Sequence, residues 1–364
     1  MPALWLNRRR GAGVAVAVVP PLLLLLLLSP VAASRTTPQP DATTVIPLNE
    51  EELADDELPT TQPATPEPVE DDGGGACVNC NPIDVDSVPY FVRVNRRFQF
   101  IGGDDDDDTM SRIVRPAAES STWCGGTLIR SNIVLTAAHC DTAAGPLYVQ
   151  IGRQTVSDQN YETYNVVAQA KHPGYLAPRD AADDDNIGGI AFDNDIMLLK
   201  LDRDVVGAEV RGNLATLWSS FGGSSLERAF LGKDLIIMGF GRTKWNSRTS
   251  DDLQAGVVQL VPHDECSRLY NGAISPSMIC AIGKTIRGGQ TVNVDTCGGD
   301  SGGPLIGESN GNIYVFGITS FGPSKCALSE RPGVYTNVEM FIDWIGAQIM
   351  ATFSSEGSGD WRSV

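Results

Sequence analysis

The sequence is short of histidine, of glycosylation motifs and of basic charge. It has three histidines and no Asn-x-Ser/Thr motif, so it offers few imidazoles for catalysis and no acceptor for N-linked glycans. Its 27 Lys and Arg residues face 45 Asp and Glu residues, for a formal net charge of -18 at pH 7. That charge repels nucleic acids and anionic membrane surfaces. Nucleic-acid binding is therefore excluded.

Long hydrophobic runs are absent beyond the amino terminus. Three arginines, Arg8–Arg10, precede an apolar run, Val14–Leu28, which small residues follow. This order is typical of a secretory signal, and we predict a signal peptide at residues 1–33 and a secreted product. An uncleaved membrane anchor is the alternative, because residues 11–33 are largely apolar, although Pro20-Pro21 interrupts them.

The rest of the chain divides by composition into three parts. Residues 34–76 are rich in Thr, Pro, Asp and Glu, which is typical of a disordered linker or pro-segment. Residues 77–353 have the apolar content of a folded domain, and residues 354–364 form a small polar tail. The acidic run Asp104–Asp108 is interpreted as a solvated surface loop, although repulsion of acidic substrates or cation binding is equally consistent with its charge.

Helical periodicity is nearly absent from residues 77–353. Short apolar runs recur between Gly, Pro, Asn and Asp: Tyr90–Val94, Ile133–Leu135, Leu147–Ile151, Ile196–Leu199, Leu235–Met238, Val257–Val261, Tyr314–Ile318 and Gly333–Thr336. Many short strands predict an all-β barrel or sandwich. A helical face appears only near the end, capped by Asn337 and formed by Met340, Phe341, Trp344, Ile345 and Ile349.

One serine, Ser301, is surrounded by glycines in the sequence Gly299-Asp300-Ser301-Gly302-Gly303. A glycine-rich turn lets backbone N–H groups approach a reacting carbonyl. The pattern Gly-x-Ser-x-Gly alone also fits the nucleophile turn of an α/β-hydrolase. In that fold the catalytic histidine follows the serine, whereas all three histidines here precede Ser301. The order His, Asp, Ser is the one used by chymotrypsin.

Three segments together resemble the motifs of the chymotrypsin/trypsin family: Leu135–Cys140 around His139, Asn194–Leu199 around Asp195, and Gly299–Pro304 around Ser301. The resemblance extends from about Pro89 to about Met350. It implies two antiparallel β-barrels of the trypsin type with a carboxyl-terminal helix, and a catalytic site between the barrels. It also implies a secreted endopeptidase that needs no cofactor.

The resemblance assigns a role to each catalytic residue. His139 would take the proton of the Ser301 hydroxyl, and Asp195 would fix the tautomer of His139. The peptide N–H groups of Gly299 and Ser301 would form the oxyanion hole. An unpaired buried carboxylate at Asp195, which precedes an apolar stretch, would be costly without a partner such as His139.

Asp295 matches the position at the floor of the primary specificity pocket in trypsin-like members. A carboxylate there attracts Arg or Lys. The implied pocket walls are Ser320, Phe321, Gly322 and Gly333, with glycine where a larger side chain would block entry. The expected partners are therefore proteins or peptides with Arg or Lys at the cleaved bond, and protein inhibitors.

Eight cysteines indicate an oxidising compartment. Six of them allow fifteen pairings, from which the resemblance selects Cys124 with Cys140, Cys266 with Cys280, and Cys297 with Cys326. Cys77 and Cys80 have no partner in this scheme, and we expect a mutual disulfide or a link to another chain. No metal site is predicted: no second cysteine pair or histidine cluster accompanies Cys77 and Cys80, and Arg153 stands where calcium-binding members carry a carboxylate.

The activation site departs most from the family pattern. Family members are activated by a cut whose new ammonium pairs with the carboxylate before the nucleophile, here Asp300. Counting back from Pro89 favours Cys77 as this position, where no trypsin-like activator would cut. Activation by a cut before Ile101 or before Ile113, or by an unusual route, is the alternative.

Two other functions are consistent with parts of the sequence. A catalytically impaired homologue would act as a binding or inhibitory protein, although the complete set of motifs argues against it. A membrane-anchored protease would retain residues 11–33 and use residues 34–76 as a stalk.

Overall fold

The strands form where apolar residues alternate with polar ones. In the strand Glu162–Lys171, Tyr164 and Val166 are buried, whereas Glu162 and Asn165 are exposed. This alternation places one face of a sheet against a core and the other towards water.

The computed structural model describes residues 77–97, 123–141, 145–178, 190–208, 212–219, 225–351 and 361–363. These residues belong to one compact unit, Glu67–Val364. The predictions for residues 1–76, for the acidic run Asp104–Asp108 and for activation at Ile101 or Ile113 lie outside the described residues.

The described residues form sixteen strands. They are β1 (Asn81–Pro82), β2 (Phe91–Arg96), β3 (Cys124–Arg130), β4 (Ile133–Thr136), β5 (Leu147–Ile151), β6 (Glu162–Lys171), β7 (Met197–Leu201), β8 (Thr216–Leu217), β9 (Leu235–Gly239), β10 (Gln254–Val261), β11 (Met278–Arg287), β12 (Gln290–Val294), β13 (Pro304–Ser309), β14 (Asn312–Phe321), β15 (Gly333–Asn337) and β16 (Arg362–Ser363).

Two six-stranded antiparallel barrels contain most of these strands. The first has the order β6-β5-β2-β3-β4-β7 and is closed by pairing of β6 with β7. The second has the order β10-β9-β13-β14-β15-β11 and is closed by pairing of β10 with β11. The predicted pair of barrels is confirmed.

Each barrel is filled by its own apolar side chains, and a further cluster joins the two. Leu128, Tyr164 and Leu199 lie in the first core, and Ile237, Leu305 and Phe316 in the second. The joining cluster includes Phe91 and Leu135 from the first barrel and Met238 and Ile306 from the second. Burying one such side chain contributes about 1.5–3 kcal/mol, so the shared cluster fixes the barrels against each other.

The barrels come very close together at Gly125 in β3 and Gly303 before β13. A Cβ atom on Gly125 would lie 2.7 Å from the Cα atom of Gly303. The peptide N–H of Gly125 donates to the carbonyl oxygen of Ser301 at 2.7 Å. The first barrel therefore holds the loop of the second barrel that carries Ser301.

Two short helices, α1 (Leu226–Phe230) and α2 (His263–Leu269), lie between strands of the second barrel. Ser225 caps α1, because its hydroxyl oxygen accepts from the peptide N–H of Arg228 at 3.4 Å. Neither helix was predicted, because five and seven residues are too few to show a helical period.

The carboxyl-terminal helix, α3 (Ile342–Ala351), begins later than its hydrophobic period predicts. A 3₁₀ turn, Val338–Phe341, precedes it. Asn337 makes no capping hydrogen bond through its side chain and Met340 is exposed, so the predicted roles of these two residues are wrong. Ile345 and Ile349 are buried as expected.

Within the described part of the chain, no helix is both long and apolar enough to cross a bilayer.

Four disulfides join all eight cysteines. Three are the pairs that the family resemblance implies, Cys124–Cys140, Cys266–Cys280 and Cys297–Cys326. Cys77 and Cys80 are joined to each other, which was one of the two expected arrangements.

Candidate active site

Ser301 lies in a tight loop between β12 and β13. The peptide N–H of Asp300 donates to the carbonyl oxygen of Cys297 at 3.0 Å, and that of Gly302 to Thr319 at 2.8 Å. Gly299 has a φ of +105°, and a Cβ atom there would lie 2.9 Å from the Cα atom of Gly241. Only glycine fits this position, so the glycines around Ser301 are required by the loop.

His139 lies on the opposite side of the cleft, in a 3₁₀ turn that directly follows β4. The neighbouring disulfide, Cys124–Cys140, ties this turn to β3. The Nδ1 atom of His139 is 2.7 Å from Oδ2 of Asp195, and the peptide N–H of His139 donates to Oδ1 of Asp195 at 2.9 Å. The imidazole is therefore held at both its ring and its backbone by one carboxyl group.

The carboxyl group of Asp195 is fully buried. Besides the two contacts from His139, Oδ2 of Asp195 accepts a hydrogen bond from the hydroxyl of Ser320 at 2.5 Å. The hydroxyl of Thr336 donates to the carbonyl oxygen of Asp195 at 2.7 Å. Ser320 and Thr336 belong to the second barrel, so both barrels fix the orientation of Asp195.

His139 and Ser301 line one cleft of about 200 Å³, together with Trp123. The described part of the chain shows no hydrogen bond between the Ser301 hydroxyl and the His139 ring. Such contacts are commonly long in enzymes without substrate and tighten when substrate binds. The peptide N–H groups of Gly299 and Ser301 donate to no described acceptor, so both are available to a substrate oxygen.

The five residues expected to form a specificity pocket come together beside Ser301. Asp295 follows β12 and is fully buried. A Cβ atom on Gly333 would lie 2.6 Å from Oδ1 of Asp295, and one on Gly322 would lie 3.7 Å from the Cα atom of Gly333. Ser320 and Phe321 end β14 just before Gly322. A side chain at position 333 would therefore collide with the carboxyl group of Asp295.

The carboxylate of Asp295 has no described cation or side-chain donor. Neither of its oxygens makes a hydrogen bond of ordinary geometry to a described group. Its pKa is raised to about 7, mainly by burial; the nearby charge of Asp300 acts in the same direction, and the backbone N–H groups of Ala327, Thr296 and Gly333 act in the opposite direction. Burial also raises the pKa of Tyr270 and Tyr335, with Asp295 as the second cause.

Asp300, next to Ser301, is the second buried acid of the loop. It accepts hydrogen bonds from the peptide N–H groups of Gly241 at 2.8 Å and Cys297 at 2.9 Å. Burial is the main influence on this carboxyl group and raises its pKa to about 6. Among the described residues, no cation pairs with Asp300.

Comparison with known families decides between the possible uses of this cleft. The family model described as Trypsin matches residues 100–345. The chain belongs to the trypsin family. The match to this serine protease family begins after β2, although β2 forms part of the first barrel.

Curated relatives of this trypsin-family chain come from animals. CLIP domain-containing serine protease B4 of Anopheles gambiae is 31% identical over 248 residues, which cover 64% of this chain and 63% of the relative. Melanization protease 1 of Drosophila melanogaster is 32% identical, with 65% and 60% covered. Chymotrypsin-like elastase family member 1 of Macaca fascicularis is 34% identical, with 62% and 78% covered. The chain thus spans less than two thirds of the two insect proteases.

Two side chains of this trypsin-family site were missed in the sequence. The ring of Phe192 stacks on Phe321 at 5.2 Å and meets His139 edge-on at 5.8 Å, and the contact of Thr336 with Asp195 is described above. Phe192 stands three residues before Asp195, a spacing that could have directed attention to it. No neighbouring residue in the sequence indicates the role of Thr336, because its partner Asp195 precedes a strand of the other barrel.

One group of metal-ligating residue types occurs in the described part of the chain, at Cys124, His139 and Cys140. The two cysteines are joined to each other in a disulfide, so they supply no thiolate to a metal. His139 is the remaining ligand type, and its Nδ1 atom already contacts Asp195.

Proposed function

We propose that this protein is a secreted serine endopeptidase that cleaves proteins and peptides after Arg or Lys. Ser301 attacks the scissile carbonyl and His139 takes the hydroxyl proton, then returns it to the leaving amine. Asp195 holds the imidazole and stabilises its charged form. The acyl-enzyme on Ser301 is then hydrolysed by water, activated by the same base. The Gly299 and Ser301 N–H groups stabilise the oxyanion, each contributing roughly 10²–10³ in kcat.

The buried carboxylate of Asp295 carries the proposed specificity. It lies next to Gly333, which has no side chain to cover it, and it pairs with no cation among the described residues. A substrate guanidinium or ammonium supplies that cation and donates charge-assisted hydrogen bonds to both oxygens. The family alone does not decide specificity, since the relatives include an elastase-like protein as well as insect serine proteases.

Export from the cell is part of the proposal. All eight cysteines are in disulfides, which persist in an oxidising compartment. The apolar amino-terminal run supplies the expected signal peptide.

The nucleophile is tested with a serine-directed organophosphonate, applied to the purified chain before and after limited proteolysis. We expect covalent labelling at Ser301, with loss of both labelling and peptidase activity in Ser301→Ala. Replacing His139 by Ala should reduce kcat about as much, because triad members act as a unit. Labelling at another residue, or full activity of Ser301→Ala, would contradict the assignment.

Specificity is tested with matched peptide substrates that differ only at the residue before the cleaved bond. The native chain should cleave the Arg and Lys peptides and turn over the Phe and Leu peptides poorly. Asp295→Ser should remove most of this preference, whereas the exposed control Asp264→Ser should keep it. A native preference for aromatic residues would show that Asp295 does not face the substrate.

A further inference from the structure

Two residues just before Asp195 have a backbone conformation that L-amino acids rarely adopt. Phe192 has a φ of +62° and Asn194 a φ of +54°. Asparagine tolerates this left-handed region, but it is unfavourable for an aromatic residue, and such strain persists only where surrounding contacts hold the chain. Because residues 192–194 lead directly into Asp195, the contacts that hold them also set the position of its carboxyl group.

Asp193 supplies such contacts through a single oxygen atom. Its Oδ1 atom accepts hydrogen bonds from the hydroxyl of Ser275 at 2.6 Å and from the hydroxyl of Ser277, and the peptide N–H of Asn194 donates to it at 3.1 Å. The two hydroxyl oxygens are 2.8 Å apart, and both serines are buried. One oxygen atom therefore joins the turn before Asp195 to the segment that precedes β11.

The segment with the two serines is attached to β15 of the second barrel. The peptide N–H of Asn337, at the end of β15, donates to the carbonyl oxygen of Ser277 at 2.7 Å. The preceding residue of β15, Thr336, donates through its hydroxyl to the carbonyl oxygen of Asp195 at 2.7 Å. Asp193 and Asp195 are thus both tied to the end of β15, one through Ser277 and the other directly.

We propose that Asp193 is a positioning residue of the catalytic site. Its hydrogen bonds with the two serines hold the turn that carries Asp195, and Asp195 holds the imidazole of His139. The inference rests on the proposed function, because it concerns the geometry of the base that activates Ser301. In the described part of the chain Asp193 makes no hydrogen bond to His139 or Ser301, so it acts through Asp195.

The physical reason lies in the strain of the turn. Without the bonds to Asp193, Phe192 and Asn194 relax towards negative φ, and the chain carries Asp195 with it. The Nδ1 atom of His139 and Oδ2 of Asp195 are 2.7 Å apart, so a displacement of about 1 Å breaks their hydrogen bond. A misplacement of this size lowers a rate by up to about 10²-fold. Other segments form the proposed specificity pocket, so kcat should change more than KM.

The first test compares three single variants of the purified chain. Asp193→Ala removes the acceptor and should lower both kcat and the rate of organophosphonate labelling at Ser301 by roughly 10- to 10²-fold, with KM changed less than threefold. Asp193→Asn should keep both rates within threefold, because an amide oxygen accepts from the same hydroxyls. The matched control Asp204→Ala removes an exposed aspartate that accepts from the hydroxyl of Ser131 at 3.0 Å, and it should react like the native chain.

Two results of this comparison would overturn the proposal and leave the proposed function standing. One is a folded Asp193→Ala chain that is labelled at the native rate. The other is an equal loss in Asp193→Ala and Asp204→Ala, which would show that any lost aspartate–serine bond has the same effect. Absence of labelling at Ser301 in the native chain, before and after limited proteolysis, would contradict the proposed function itself.

The second test reads the contact between His139 and Asp195 without any assay of activity. The proton on Nδ1 of His139 gives a low-field ¹H NMR resonance, because the carboxylate oxygen that it faces is 2.7 Å from the nitrogen. This resonance should be the same in the native, Asp193→Asn and Asp204→Ala chains, and should move to higher field or broaden in Asp193→Ala. An identical resonance in the native and Asp193→Ala chains would overturn the proposal, whatever the activity.

A further variant covers the case in which Asp193→Ala does not fold. Ser275→Ala/Ser277→Ala keeps the aspartate and removes its two hydroxyl donors. It should lower kcat and the labelling rate by the same factor, at least threefold, with KM retained and the low-field resonance displaced. Native labelling and a native resonance in this folded double variant would contradict a positioning role for Asp193.

Discussion

At the scale of single residues, the ionisation of Asp295 is the property that is simplest to test. Its charge is unfavourable in the empty pocket, since burial raises its pKa to about 7. In the proposed function a substrate guanidinium would reverse this balance, because an opposite charge at hydrogen-bond distance favours the ionised form. Substrate binding and ionisation of Asp295 are therefore coupled.

This coupling predicts a pH dependence of specificity. For an Arg peptide, KM should rise as the pH falls below about 7, because protonation of Asp295 removes the charge that binds the guanidinium. The comparison is Asp295→Ser with a peptide bearing a neutral residue at that position, whose KM should vary less. Protonation of the general base affects both profiles, so their difference isolates Asp295. Parallel profiles would contradict the coupling.

The same pKa predicts a pH dependence of stability. The folded chain keeps a proton on Asp295 up to pH about 7, whereas an unfolded Asp releases it near its usual pKa of 3.8. The free energy of unfolding therefore falls as the pH rises from about 4 to 7. Asp295→Asn should remove roughly 4 kcal/mol of this fall, measured by urea unfolding at several pH values. The raised pKa of Asp300 makes the free energy of unfolding fall with rising pH in both the native chain and the variant. Equal slopes of this free energy against pH in the two chains would therefore contradict the prediction.

Sequence motifs located His139, Asp195 and Ser301 because each lies in a local pattern of small or apolar neighbours. They did not locate contacts that depend on distant strands. The ring of His172 lies 5.1 Å from those of Phe341 and Trp344, although its sequence, Lys171-His172-Pro173, is typical of a surface turn. No nearby residue in the sequence indicates such a contact.

At the scale of elements, the loop after β5 is held by a side chain. Arg153 is 3% exposed and donates through Nε to the carbonyl oxygen of Thr155 at 3.0 Å and through Nη1 to Gln150 at 2.6 Å. It also donates to the carbonyl oxygen of Val156. A guanidinium thus supplies positive charge to the carbonyl oxygens of this loop.

Arg153→Ala should lower the free energy of unfolding by about 2–4 kcal/mol, since it removes a buried guanidinium together with its hydrogen bonds to Gln150, Thr155 and Val156. The exposed control Arg248→Ala should change it by less than about 0.5 kcal/mol. Urea unfolding with and without EDTA measures both effects, and EDTA should change neither chain. A loss of stability in EDTA would show that the loop binds a metal.

Strand positions were predictable wherever an apolar run was bounded by turn residues. Leu147–Ile151 was predicted with the bounds of β5, and Leu235–Met238 covers most of β9. β6 was not predicted, because its polar residues break the apolar run. The turn at Cys77 was expected at the activation position, but the hydrogen bond from Val78 to the carbonyl oxygen of Asp295 depends on tertiary structure.

At the scale of the whole molecule, residues 361–363 form a second connection to the first barrel, besides the apolar cluster that the two barrels share. Trp361 packs on the apolar cluster shared by the barrels, and its Nε1–H donates to the carbonyl oxygen of Gln348 in α3 at 3.0 Å. The adjoining strand β16 pairs with β6 of the first barrel. The end of the chain therefore links α3, which follows the second barrel, to the first.

Trp361→Ala should reduce the free energy of unfolding by about 1–3 kcal/mol while kcat/KM stays within twofold, because the residue is remote from Ser301 in its contacts. Arg362→Ala, at an exposed position of the same strand, serves as control and should unfold like the native chain. Calorimetry or urea unfolding, with parallel assays of peptide cleavage, tests both. A large fall in kcat/KM for Trp361→Ala would show that the link also supports catalysis.

Gly125 and Gly303 lie so close together that no further atom fits between the two barrels at this point. His139, the proposed base, belongs to the first barrel and Ser301, the proposed nucleophile, to the second, so the distance between the barrels sets their separation. The methyl group added by Gly125→Ala would push the two barrels apart, because its carbon atom would lie 2.7 Å from the Cα atom of Gly303. Each barrel would keep its own core, and the product would be a folded protein, with native circular dichroism, that no longer reacts with phosphonate.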